Sequence, residues 1–270
     1  MISRYFRIIS LAIALAACDT ATEAPRVTLP LVAESTAFAP VTNDLGWTVQ
    51  LTEARVAVAD LAFSVAGEVH TASVLDRLLA WLVPAVHAHP GHTQGGGITG
   101  ELAGRHIIAW ARPETSPIGD ATLLVGTYTS ANFTFVRAAT SDGLAPTDPL
   151  VGHTAHLAGT AERDGVTIAF TALIDAPEGR ALIGAPFATR IARDTTGIIA
   201  MRLLPTDPAE GDTLFDSVDF GALDVNGVGS ITLVEPATDA TTTAIDDAYL
   251  RLRRTFMTHD HFDFQLTEPQ

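Results

Sequence analysis

The sequence predicts an all-β protein, an antiparallel β-sandwich with a helical insertion at about residues 71–83 and a helix near the C-terminus. Three observations lead there. Short apolar runs with two-residue alternation recur through residues 45–235. Turn signals separate them, the clearest being Arg163-Asp164-Gly165, where Asp-Gly supplies the positive φ angles of a tight hairpin. Only two longer stretches carry helical spacing, so strands do not alternate with helices as they would in a parallel doubly wound sheet.

Residues 47–66 open the domain. Trp47, Val49 and Leu51 alternate with polar neighbours, and Val56, Val58 and Leu61 continue after Ala54-Arg55, which predicts a strand with a bend or bulge. Residues 71–83 differ: Val74, Leu75, Leu78, Leu79 and Leu82 recur at helical spacing until Pro84 stops the helix. The run HAHPGHTQGGG at 87–97 is a loop. Strands follow near 105–111, 121–128, 132–138, 153–162, 166–174, 181–183, 198–204 and 230–234. Residues 213–223 read as a short helix with Leu214, Val218 and Leu223 on its apolar face. Residues 240–256 read as a longer one, marked by Ile245, Tyr249 and Leu252. No fixed-period repeat and no internal linker interrupt this pattern, so residues 45–270 are expected to form a single domain.

The N-terminus carries a different message. Arg4 and Arg7 precede a short apolar run, residues 8–17, that is too short to cross a bilayer and reads as a signal peptide over 1–17. Leu15-Ala16-Ala17-Cys18 resembles a bacterial lipobox, in which the cysteine becomes lipidated after cleavage. Cys18 is the only cysteine of the chain, which makes an incidental placement the poorer reading. Residues 18–44, rich in Thr, Ala, Pro and Glu, are expected to form a flexible tether. The location expected is the cell envelope, on a lipid anchor that carries an acyl chain such as palmitate, in the periplasm or at the outer surface. Asp19 resembles an inner-membrane retention signal, but the leaflet stays open.

Composition removes several functions. The 270 residues hold 31 acidic and 16 basic side chains, for a formal charge of −15. Every basic residue is arginine. The acidic balance argues against a nucleic-acid partner. A single cysteine excludes disulfide frameworks and Cys-rich metal modules, and the absence of lysine excludes Schiff-base chemistry and Walker-type phosphate loops. Histidine and carboxylate chemistry remains.

Nine histidines are present. His87, His89 and His92 form H-x-H-P-G-H, where the first two rings share one side of an extended segment and Pro-Gly turns the third toward them. Neutral imidazole suits copper and zinc, so this loop is the leading candidate for a metal site. His259-Asp260-His261 offers a second H-x-H, and Met257 adds a thioether that favours Cu(I), although core packing is its commoner use. His153 and His156 rank behind these, because i and i+3 face opposite sides of a strand unless a bulge or a terminal turn intervenes. His70 and His106 stand alone.

Asp224, Asn226 and Glu235 fall at EF-hand positions, yet Val228 occupies a ligand position and Pro236 breaks the exit helix. The segment therefore reads as an Asn-Gly turn before a strand in preference to a calcium loop. No nucleophile elbow appears, and nothing singles out Glu101 or Asp263 as a general base, so no enzymatic activity is expected.

Over most of residues 45–235 the chain resembles the periplasmic copper-binding lipoproteins associated with methanobactin operons and the copper-repressible surface proteins. The opening strand 47–63, the hairpin around Gly165 and the segment Leu214-Phe215-Asp216-Ser217-Val218-Asp219-Phe220 carry the resemblance. It implies copper held by histidines, sometimes beside an oxidised tryptophan. No residue among Trp47, Trp81 and Trp110 is matched to that role. The function expected is therefore an envelope lipoprotein that binds copper or zinc for storage, delivery or sensing. The alternative is a non-catalytic surface interaction module with incidental histidines, its protein partner unknown.

Overall fold

The alternation that opens the domain becomes one strand of 18 residues, around which everything else is arranged. The computed structural model describes residues 24–34, 39–65, 98–110, 117–237 and 243–268. The expected signal peptide, Cys18, His70, the helix of residues 71–83, Trp81, and His87, His89 and His92 lie outside the described residues.

In chain order the strands are β1 (Arg26–Glu34), β2 (Val41–Thr42), β3 (Thr48–Val65), β4 (Ile98–Ala109), β5 (Gly119–Leu124) and β6 (Gly126–Phe135). There follow β7 (Ala155–Arg163), β8 (Val166–Ile174), β9 (Ala181–Ile191), β10 (Ile198–Leu203), β11 (Ser230–Leu233) and β12 (Phe262–Thr267). The helices are α1 (Phe220–Leu223) and α2 (Ala244–Phe256). All twelve strands belong to one mixed sheet of order β11-β8-β7-β3-β4-β5-β1-β10-β12, with β2 and β6 also on β3 and β9 on β6. β12 packs beside β9, so the sheet curls on itself.

Aromatic side chains fill the inside of that curl. Phe63 of β3, Phe187 of β9 and Phe264 of β12 meet with ring centroids 5.0 to 6.5 Å apart. Phe262 lies 5.4 Å from Phe133 and 5.5 Å from Phe256, which plugs one end from α2. Burial of rings this large is the main apolar driving force for closing the sheet.

Two parts of β3 bend as its sequence suggests. At Asp60 the backbone takes φ +53° and the ladder to β4 shifts register. A second shift falls between Leu51 and Glu53 against β7. The Asp164-Gly165 turn joins β7 to β8 with φ values of +53° and +78°, the conformation that a two-residue hairpin needs.

Four expectations change. The sheet is mixed, because β1 pairs β10 and β11 pairs β8 in parallel. These partners come from distant parts of the chain, where no short hairpin imposes an antiparallel pairing. Residues 26–34, inside the expected tether, form β1 between β5 and β10 with Leu29 and Leu31 buried. The expected helix at 213–223 is reduced to α1. Ser217 has φ +62°, and the Asp216 carboxylate accepts from the Thr213 amide and hydroxyl, which holds a turn in place of a helix. The expected strand 121–128 is broken at Val125, where β5 hands over to β6. α2 begins at Ala244, where Thr243 and Asp246 form a capping box, and it buries Ala248, Tyr249, Leu252 and Phe256.

The strands define two ends. β3 finishes and β4 begins at one of them, where Val65 pairs with Tyr128. β6 and β10 finish, and β9 and β12 begin, at the other.

Candidate functional site

At this second end, β6 and β7 share one edge of β3. β6 pairs as far as Val58 and β7 takes over at Val56. The chain between them leaves the sheet and returns through a turn that carries His153, whose carbonyl accepts from the Ala138 amide at 2.8 Å. His153 Nδ1 lies 3.1 and 3.2 Å from the two oxygens of Asp175, a carboxylate that is almost wholly buried at the end of β8. A carboxylate only accepts, so Nδ1 carries a proton and, in the neutral ring, Nε2 carries the lone pair. This is the orientation that carboxylates give to metal-ligating histidines. Asp175 is also neutralised by Arg137 at 3.1 Å, and its amide donates to the Tyr249 hydroxyl at 3.0 Å. Arg137 and Arg253 both reach Glu235, which completes a chain of alternating charges.

His156 is the opposite case. It is buried, and its Nδ1 lies 3.1 Å from Arg55 Nη2. A guanidinium only donates, so Nδ1 accepts and the proton sits on Nε2, where a metal would need a lone pair. Burial first, and the Arg55 charge second, hold the His156 pKa below the ordinary histidine value. Arg55 meanwhile bonds Asp148 at 2.8 Å and keeps that carboxyl below its usual range.

The depressed pKa of His156 has a consequence for stability. The unfolded chain takes up this proton near pH 6.5 and the folded chain only at lower pH. The stabilisation is thus complete above about pH 6.5 and is lost as pH falls through the folded value. Thermal melts at pH 7.5 and 5.5 should show a larger drop in Tm for the wild type than for His156→Gln, which keeps an acceptor for Arg55. Equal drops would show that His156 does not carry the effect.

His259-Asp260-His261 forms a 3-10 turn rather than an extended segment, so its two rings leave on different sides. His261 is buried and its Nδ1 donates to the Leu204 carbonyl at 2.8 Å. His259 is half exposed, rests against Gly184 of β9, and lies 3.3 Å from Asp260. Met257 is buried at the C-cap of α2. His106 stays on β4, where Nε2 bonds the Ala103 carbonyl at 3.0 Å.

The remaining sequence candidates have structural partners. Both Asp224 oxygens accept backbone amides, from Val228 at 3.0 Å and Gly229 at 2.9 Å, so this carboxylate closes its own turn. Asn226 is exposed, and Glu235 is paired as above. Asp263 forms a bidentate pair with Arg202, and Glu101 lies exposed on β4. Trp47 donates to Asp219 at 3.1 Å beneath the Arg163 guanidinium, and Trp110 donates to the Met201 carbonyl at 3.0 Å.

Among the described residues, His153, His156, His259 and His261 do not gather at one point. The one group of three ligating side chains within 4.8 Å among the described residues is Asp207, Glu210 and Asp212, in the loop after β10. Its all-oxygen donors suit a hard cation rather than copper or zinc. Sequence reading passed over both this D-x-x-E-x-D spacing and Asp175; the second has no local signal, since only the fold places it behind His153. Comparison with known proteins gives no further guide: no family model, no curated protein and no solved structure matches the chain.

Proposed function

We propose that the chain is a bacterial envelope lipoprotein, anchored through Cys18, that binds copper or zinc through histidine for storage, delivery or sensing. The carrying observation is three imidazoles within six residues, His87, His89 and His92, in a chain whose only thiol stands at the lipobox position. The resemblance to copper-binding periplasmic lipoproteins supports copper. His153 supports the same chemistry, since Asp175 fixes its tautomer as a metal ligand requires. In the same proposal the curled sheet packs as two layers across its aromatic core, as a β-sandwich, and the protein binds without catalysing a reaction.

The test is a titration of the mature protein with copper and with zinc at pH 7.5 and at pH 5. Wild type is expected to bind about one equivalent at pH 7.5 and to bind more weakly at pH 5, because ligand imidazoles must be neutral and protonate near pH 6.5. A His87→Ala, His89→Ala double variant is expected to lose this binding. Equal affinities in both proteins would remove the loop from the proposal. No binding to either would favour the alternative, a non-catalytic interaction module, which the dispersal of the four described candidate histidines supports. Detergent partitioning tests the anchor: wild type should follow the detergent phase and Cys18→Ser should not.

A further inference from the structure

Three arginines meet around an open groove at the end of the sheet where β9 begins. Pro177 and Arg180, from the loop between β8 and β9, form one wall. Leu250, Arg253, Arg254 and Met257 of α2 form the other, and the groove encloses about 400 Å³. In a chain of charge −15 whose 16 basic residues are spread over 270 positions, this convergence is out of keeping with the surface as a whole. Arg253 is paired with Glu235 at 3.2 Å. Arg180 and Arg254 are exposed and have no carboxylate partner among the described residues.

Arginines in the last turn of a helix are accounted for by the helix dipole, which explains Arg253 and Arg254. It does not explain Arg180, which comes from another element. Its backbone is held on both sides: the Arg180 amide donates to the Pro177 carbonyl at 3.0 Å, and its carbonyl accepts from Phe135 at 2.9 Å. Arg180 on a held backbone, across the groove from Arg253 and Arg254 and beside the apolar side chains of Pro177, Leu250 and Met257, suits one kind of ligand. Planar forks of N–H donors match the oxygens of carboxylates and phosphates, and the apolar side chains match an apolar body.

We infer that this groove binds a small free organic anion, with a carboxylate or phosphate monoester head on Arg180 and Arg254 and an apolar chain against Leu250 and Met257. The site is independent of the metal proposal, since it uses none of the histidines.

Isothermal titration of the mature protein with hexyl phosphate tests it, with inorganic phosphate and phosphatidylglycerol vesicles in parallel. Hexyl phosphate should bind with a Kd on the order of 1 mM or tighter. Inorganic phosphate should bind at least about tenfold more weakly, because it lacks the apolar chain. Arg180→Gln with Arg254→Gln should weaken hexyl phosphate by about tenfold or more. Arg251→Gln, which removes a charge from the same helix outside the groove, should change it less than twofold. Three results would overturn the inference: no binding of hexyl phosphate, equal binding in the double variant, or equal weakening by Arg251→Gln. Binding to vesicles without binding to hexyl phosphate would also overturn it and point to a membrane surface.

Discussion

Replacement of Gly159 by alanine is expected to destabilise the protein by about 3 kcal/mol, at the upper end of ordinary overpacking. A Cβ at this position would stand 2.1 Å from the Gln50 carbonyl oxygen and 3.0 Å from the Leu51 Cα. Both are backbone atoms, so no rotamer change relieves the clash. The cause is the register shift in β3: Leu51 pairs with Gly159 and Glu53 with Ala158, which leaves Thr52 as the extra residue. The bulge drives the Gln50 carbonyl into the space above Gly159, and only a residue without a side chain fits beneath it. For a chain of this size the loss should lower Tm by about 6–12 °C. Gly227→Ala is the control. Gly227 has φ +62° with nothing within 4 Å, so alanine there costs only the left-handed backbone strain, about 1 kcal/mol. If the two variants melt alike, sterics at the bulge is not the reason for glycine.

The same bulge shows what the sequence can and cannot carry. The alternation through Val49, Leu51, Val56 and Val58 marks β3 and its irregularity, and Asp164-Gly165 marks the hairpin after β7. Both signals are local. β1 is the counterexample: Val27, Leu29 and Leu31 alternate as a strand should, but Pro30 between them argues against a strand with neighbours on both sides. The structure tolerates Pro30 because the pairing with β10 begins only at Leu31, so at Pro30 the strand has a ladder neighbour on the β5 side alone. The partner of each strand was not legible at all, since β1 meets β10 across more than 160 residues and no propensity encodes that choice. The histidines follow this division. Their spacing was plain, but whether a ring nitrogen keeps its lone pair depends on Asp175, Arg55 and the Leu204 carbonyl, which only the fold brings up.

Replacement of Asn43 by alanine is expected to cost about 4 kcal/mol, because one buried side chain there satisfies four backbone groups. Its Nδ2 donates to the carbonyls of Phe215 at 2.9 Å and Val218 at 3.0 Å. Its Oδ1 accepts from the amides of Leu45 at 3.1 Å and Trp47 at 2.9 Å. Alanine leaves the Val218 carbonyl and the Leu45 and Trp47 amides without this partner, in a place that water reaches poorly, while the Phe215 carbonyl keeps only the Val218 amide at 3.1 Å. The expected fall in Tm is about 8–16 °C. Asp44→Ala removes the neighbouring but exposed contacts to Ser217 and should cost no more than about 1 kcal/mol, since solvent replaces them. Similar losses in the two variants would refute the burial argument. The segment fastened by Asn43 is Leu214–Phe220, one of the three features behind the resemblance to copper-binding lipoproteins. Its side chains hold the fold together: Phe215 and Phe220 pack on Phe170, Asp216 holds the Thr213 turn, and Asp219 caps α1 and receives the Trp47 indole. That part of the resemblance therefore describes how the sheet is clasped and adds nothing to the case for copper.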